Sequence, residues 1–274
     1  MNAHAIRAGL AAAGFNLIGL GAAMPVQAAI ESSNLFGANI ALATNYMFRG
    51  ISLTGNKPAI QGGFDYVYKP YGLYLGVWGS NVDSSQATGY YYLERDNEQI
   101  VVNPDTPDAE YMPLSAGGFD HASMELDLRA GWAPIWGRFG LDLGYLRIQY
   151  PGTKTESDNT NEYHLGVSYD LTYFTPKFVA NYSPDWFGDG ESWYYDLSVD
   201  IPLPWSFALT GHYGWNRFHG NLGFVDYQDY SVGLSREFYG FDLTLTWIDR
   251  TNTSACASPL DCGSTAVFKL SKTF

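Results

Sequence analysis

The chain has 274 residues and a formal net charge of −13, with 16% of residues aromatic and only 16% charged, against about a quarter charged in an average soluble domain. After the N-terminal region no stretch supplies the roughly 18 consecutive apolar residues of a helical membrane span, and no basic cluster suits nucleic acid, so both classes are excluded. The 21 Tyr and 8 Trp, with apolar bodies and polar edges, suit a membrane–water boundary.

Residues 1–28 open with Arg7, continue through the apolar run "AGLAAAGFNLIGLGAA", and end in "MPVQA" with small residues at Val26 and Ala28. That order predicts a secretory signal peptide cleaved after Ala28, leaving 29–274 as one domain. From there on, apolar and polar residues alternate with a period of two, the pattern of strands. Twelve such segments follow: 38–50, 58–68, 72–83, 121–133, 137–150, 161–173, 176–183, 191–201, 205–216, 226–237, 240–249 and 264–274. Most have the length of a tilted strand crossing a bilayer, and an even number fits a bacterial single-chain barrel.

The alternation assigns two faces. "NEYHLGVSYDLTY" sets Tyr163, Leu165, Val167, Tyr169, Leu171 and Tyr173 against His164, Gly166, Ser168, Asp170 and Thr172. "SMELDLRAGW" sets Met124, Leu126, Leu128, Ala130 and Trp132 against Glu125, Asp127, Arg129 and Gly131. "ESWYYDLSVDI", "RFGLDLGY" and "FDLTLTW" repeat the pattern with Asp196, Asp200, Asp142 and Asp242 on the polar side. The connections alternate as well. "KPYG", "APIWG", "FTP", "PLPW" and "FYG" are tight; "ISLTGNKP", 84–120, "PGTKTESDNT", "SPDWFGDGE", "NRFHGNLGF" and the Cys-containing loop are longer and more polar. Trp132, Trp136, Phe174, Trp205, Tyr239 and Phe241 cluster near the tight turns, and Trp193, Trp215, Phe218 and Trp247 near the long loops. Cys256 and Cys262 flank a short loop, which reads as a disulfide in an exported protein; a zinc site would need more ligands than Asp261 supplies.

Hydrocarbon requires every backbone polar group to be satisfied internally, so spanning sheets must close. A soluble sandwich would bury the carboxylates of the polar faces at several kcal/mol each when unpaired, whereas a wet lumen removes that cost. The expected fold is therefore all-β: a twelve-stranded antiparallel transmembrane β-barrel with short periplasmic turns and long extracellular loops, in the bacterial outer membrane.

"NYMFRGIS", "PAIQGGFDYVY" and "GLYLGVWGSNVD" resemble the TorF-type family of outer-membrane porins, conserved hypothetical proteins of bacteria. Tyr46, Phe48, Arg49, Gly50, Ser52, Pro58, Gln61, Gly62, Tyr66, Gly76, Trp78, Gly79, Ser80, Asn81 and Val82 carry the resemblance over the first three strands. The C-terminal "LSKTF" is similar too, and Ala266, Phe268, Leu270 and the terminal Phe274 share a face that Lys272 interrupts. This end resembles the signal through which outer-membrane barrels meet the barrel-assembly machinery, so Phe274 implies that partner. The family resemblance implies a barrel and a porin, with no particular solute.

By parity Arg49 faces inward, with Asp65 on the next strand as its expected partner. Glu125, Asp127, Arg129, Asp142, Asp170, Asp196, Asp200 and Asp242 also fall on inward faces. Two readings of this acidic lining stand: a cation-preferring pore, or a plug of satisfied internal pairs. His164 and Ser168 lie about 13 Å apart along one strand, so a catalytic pair built on them fails on distance. The acidic stretch 84–120, with Glu94, Asp96, Glu98, Asp105, Asp108 and Glu110, folds inward as a constriction, outward toward Ca²⁺ or lipopolysaccharide, or stays a solvated loop. The expected function is passive diffusion of small polar solutes, cationic or neutral, without catalysis, cofactor or bound metal. The rival is a non-conducting barrel with a structural or loop-mediated binding role. Membrane lipid and lipopolysaccharide are the expected surroundings; the sequence leaves the oligomeric state open.

Overall fold

The computed structural model describes residues 34–83, 90–96, 99–102, 110–113, 122–153, 159–188, 190–220, 225–252 and 262–274. The expected signal peptide (1–28), much of the acidic stretch 84–120, and Cys256 lie outside the described residues; Cys262 is buried and disulfide-bonded.

Twelve long strands make one closed antiparallel barrel. They are β1 (Asn34–Ala43), β2 (Ala59–Tyr68), β3 (Leu73–Asn81), β4 (Met124–Trp132), β5 (Phe139–Gln149), β6 (Thr160–Tyr169), β7 (Thr175–Ser183), β8 (Gly190–Leu203), β9 (Phe207–Gly220), β10 (Tyr227–Phe238), β11 (Phe241–Arg250) and β12 (Thr265–Thr273). Each pairs with the next, and β12 closes on β1 with Asn39 opposite Thr273 and Ala43 opposite Lys269. Closure leaves no strand edge unpaired, the condition for a sheet in lipid. Between β3 and β4 the backbone of Tyr90–Asp96 pairs with Gln99–Val102 and Glu110–Pro113 in a separate small sheet.

The period-two pattern maps directly onto the two sides of the wall. On β6, Thr160, Glu162, His164 and Ser168 are buried, while Tyr163 and Leu165 are about half exposed, at 52% and 49%. Phe36, Ile40, Leu42, Ile60, Phe64, Leu75, Leu128, Leu197, Val232, Leu234, Leu245 and Phe268 likewise stand on the outer surface. So much exposed aliphatic and aromatic area is foreign to a soluble monomer and is what a lipid-facing wall requires.

The tight connections reverse the chain through left-handed residues. Tyr239 (φ 52°) and Gly240 (φ 75°) form one two-residue turn, a backbone whose twist matches that of the flanking strands. Trp205 and Tyr239 project from these turns, and at the turn after β4 Trp136 stacks on Phe139 and meets Trp132 edge-on. Toward the long loops the outer wall carries Tyr182 against Trp193, Tyr213 against Trp215, and Tyr230 against Trp247. Lys272, which broke the outer face of the last segment, lays its Nζ 4.8 Å from the Phe241 ring centroid and 5.3 Å from that of Phe274. Its stem thus runs along the apolar wall toward the turn end.

Three expectations need correction. The first strand spans 34–43 rather than 38–50, because the chain leaves the wall at Thr44 and folds inward. The segment 161–173 ends as a strand at Tyr169, and the left-handed Thr172 (φ 75°) turns the chain there. Asp170 is therefore exposed in a turn, accepting a hydrogen bond from the Thr172 N–H at 2.6 Å, and does not line the interior. Phe218 shares the inward parity of His212 and Asn216 and packs against Trp186 inside, so it does not belong to the outer belt.

Candidate functional site

The interior is the candidate site, and its most specific feature grows from one asparagine. Asn45 lies two residues past the end of β1, and its side-chain oxygen accepts from Ser52 Oγ (2.7 Å) and Thr54 Oγ1 (2.9 Å) while its amide donates to Asn56 Oδ1 (2.7 Å). These bonds gather 45–56 into a compact loop in which Met47–Phe48 pairs with Ile51–Ser52. Its tip is Arg49–Gly50, both left-handed (φ 48° and 76°). A Cβ at Gly50 would collide with the side chains of Asp229 on β10 and Arg250 on β11, so the tip reaches those strands.

Arg49 extends from this tip to β6, where its Nη2 donates to both Glu162 oxygens at 2.7 and 2.8 Å. Its guanidinium also lies 4.0 Å from the Tyr194 ring centroid and 5.0 Å from that of Trp186. Burial disfavours the charge, but Glu162 outweighs it and holds the Arg49 pKa above its ordinary value. Around the hairpin, Tyr46, Met47, Trp78, Leu146, Ile148, Tyr150, Trp186 and Phe187 form an apolar cluster inside the long-loop end. Phe48, Leu53 and Phe218 pack against it.

Beside that cluster the wall is acidic. The Tyr46 hydroxyl donates to Glu125 Oε1 at 2.5 Å, and the Tyr150 hydroxyl donates to Glu125 Oε2. Burial, then the Glu125 charge, push both tyrosine pKa values well above the phenol range. Arg129 pairs with Asp65. Tyr74 donates to Asp142 at 3.0 Å, and His164 Nε2 lies 3.3 Å from the same carboxylate. Gly144 makes room for this group, since a Cβ there would overlap both Tyr74 and His164. On the opposite wall, His212 Nε2 lies 3.1 Å from Asp196, and Tyr194 hydrogen-bonds Asp229. Toward the short turns, Lys177 pairs with Asp200, whose side chain is 32% exposed, and Asp242 interacts electrostatically with Lys269.

The structure thus places Asp65, Glu125, Asp127, Arg129, Asp142, Asp196, Asp200 and Asp242 on the inner side, with Arg49 brought there by a loop. The expected Arg49–Asp65 pair is not formed: Asp65 belongs to Arg129 and Arg49 to Glu162. Glu162, Lys177, Asp229 and Arg250 were missed, although the same parity that marked His164 marks Glu162. Among the described residues no three His, Cys, Asp or Glu side chains gather as a metal site.

A closed barrel with a lipid-type exterior, a charged interior, tight turns at one end and long loops at the other has the fold of the outer-membrane porins. Two solved structures share it. The NanC porin in a rhombohedral crystal form has 7% identity and a TM-score of 0.50, over 87% of this chain and 98% of that one. The KdgM porin in complex with a disordered oligogalacturonate has 7% identity and a TM-score of 0.50, over 87% and 97%. No curated protein matches the sequence. Residues 27–274 match the family described as a bacterial protein of unknown function (Gcw_chp), and the chain belongs to that family.

Proposed function

We propose that the protein is an outer-membrane channel for passive diffusion of small polar solutes, with a preference for cations over anions. Residues 1–28 are a signal peptide, residues 29–274 the barrel, and the short turns face the periplasm. Phe274 engages the assembly machinery, and the long loops meet lipopolysaccharide. One observation carries the reading: a closed lipid-compatible wall encloses an inner surface on which Asp65, Glu125, Asp127, Asp142, Glu162, Asp196, Asp200, Asp229 and Asp242 outnumber Arg49, Arg129, Lys177, Arg250 and Lys269. Excess negative charge in a confined, low-dielectric space raises local cation concentration and repels anions. The porin fold and the resemblance to TorF-type porins support the same conclusion. Transport of this kind needs no catalytic residue.

A specific observation favours a second reading. The hairpin at 45–56 and the apolar cluster around it occupy the long-loop end, as a plug would, and a plugged barrel works through its loops. Planar-bilayer recording separates the two. The channel reading expects cation-selective current from purified, folded protein, and no current at any potential would leave the plugged barrel.

A further inference from the structure

We propose that Asp127 and Glu125 on β4 form an internal binding site for a monovalent cation, with Tyr46, Tyr150 and Trp78 as its walls. The reason is a charge imbalance that the protein does not resolve by itself. Four inward carboxylates, Asp65, Glu125, Asp127 and Glu162, share this side of the barrel with two guanidiniums, and Arg129 is taken by Asp65 and Arg49 by Glu162. Glu125 is left with hydrogen bonds from two tyrosine hydroxyls and no cation. Asp127 has less. It is 1% exposed, neither carboxylate oxygen has a hydrogen-bond partner, and its charged neighbours are two acids, Glu125 and Glu162, and one cation, Arg129, which is paired with Asp65.

A buried carboxylate with no hydrogen bond, and with two other acids set against one guanidinium already paired to Asp65, is costly to hold. A bound cation removes that cost, and the surroundings suit one. Tyr46 and Tyr150 both donate their hydroxyl protons to Glu125, so the two phenol oxygens meet an ion as acceptors rather than donors. Trp78 stands directly opposite Asp127 in the β3–β4 ladder, 4% exposed, with its indole N–H also unpartnered. Its ring packs edge-on against Tyr46, with centroids 5.5 Å apart, and such ring faces attract cations. A water carried in by the ion can accept from the Trp78 N–H. Carboxylate and hydroxyl oxygens are hard ligands suited to alkali ions and ammonium, and the lack of a third converging acid among the described residues disfavours a divalent metal. The site rests on the proposed function for access, since ions reach Asp127 only through a wet lumen.

The test reads stability rather than current, so it fails separately from the channel proposal. The purified protein, folded in detergent, is melted at pH 8 and fixed ionic strength while N-methyl-D-glucamine chloride is exchanged for sodium or ammonium chloride. A ligand that binds only the folded state raises Tm with its concentration. The wild type is expected to melt progressively higher as the small cation replaces the large one. Asp127→Asn is expected to melt higher than wild type in N-methyl-D-glucamine and to show no cation response. Glu125→Gln gives a reduced response and carries the comparison should Asp127→Asn fail to fold. Asp226→Asn, in an exposed loop, keeps the full response. A flat wild-type curve, the result if a proton alone neutralises Asp127, overturns the proposal. So does an undiminished response in Asp127→Asn and Glu125→Gln, or its equal loss in Asp226→Asn.

Discussion

The two halves of the barrel solve the same problem in opposite ways. Toward the long loops the interior is filled: a hairpin from the first loop enters, Arg49 is 3% exposed against Glu162 and Tyr194, and apolar rings close around it. Toward the short turns the packing is looser at Asp200, which retains 32% of its side-chain surface although its partner Lys177 is buried. On the proposed channel reading, the chain inserted from the first loop and not the wall alone sets the width of the passage, and the ion pair that holds the loop is the natural place to control it.

The largest effect is expected from removing the filling. Replacing 46–54 by a short Gly-Ser link leaves every barrel strand intact and is expected to raise single-channel conductance several-fold in planar bilayers. An unchanged conductance would mean that the passage is narrowed elsewhere. Next comes the holding pair. Glu162→Ala leaves Arg49 buried and uncompensated, which costs about 3–5 kcal/mol in reversible urea unfolding from lipid vesicles. The double variant Arg49→Met/Glu162→Leu recovers most of this, and failure to recover would show that the hairpin depends on more than charge balance.

A smaller contrast tests the two faces. Val232→Lys puts a charge on the outer wall near the middle of β10 and costs about 2–4 kcal/mol in the same assay. Thr246→Lys, beside it but on the inner face of β11, costs clearly less because its charge meets other lumen groups. Equal costs would place both side chains in the same medium. The smallest effect is expected from Lys177→Met: Lys177 is itself buried, but the carboxylate it leaves behind, Asp200, keeps 32% of its side-chain surface and can be hydrated, so the cost is about 1 kcal/mol. A cost matching that of Glu162→Ala would erase the distinction between the halves.

The wall was legible in the sequence and the filling was not. Alternation records which side of a strand meets lipid, so Glu125, Asp142 and Asp196 could be placed from their neighbours alone. Asp170 failed because parity has no meaning once the chain turns at Thr172. Pairing across the lumen left no local trace. Arg49 and Glu162 lie 113 residues apart and meet only because Asn45 ties a loop that points inward. The bonds of Asn45 to Ser52, Thr54 and Asn56 use ordinary turn residues, which sequence reading takes for an outward loop.

The deciding measurement is the ion selectivity of the purified, folded protein in a planar bilayer under a salt gradient. A cation-selective reversal potential is expected, with larger currents of the same sign once 46–54 is replaced. Anion selectivity, or silence from both proteins, would contradict it.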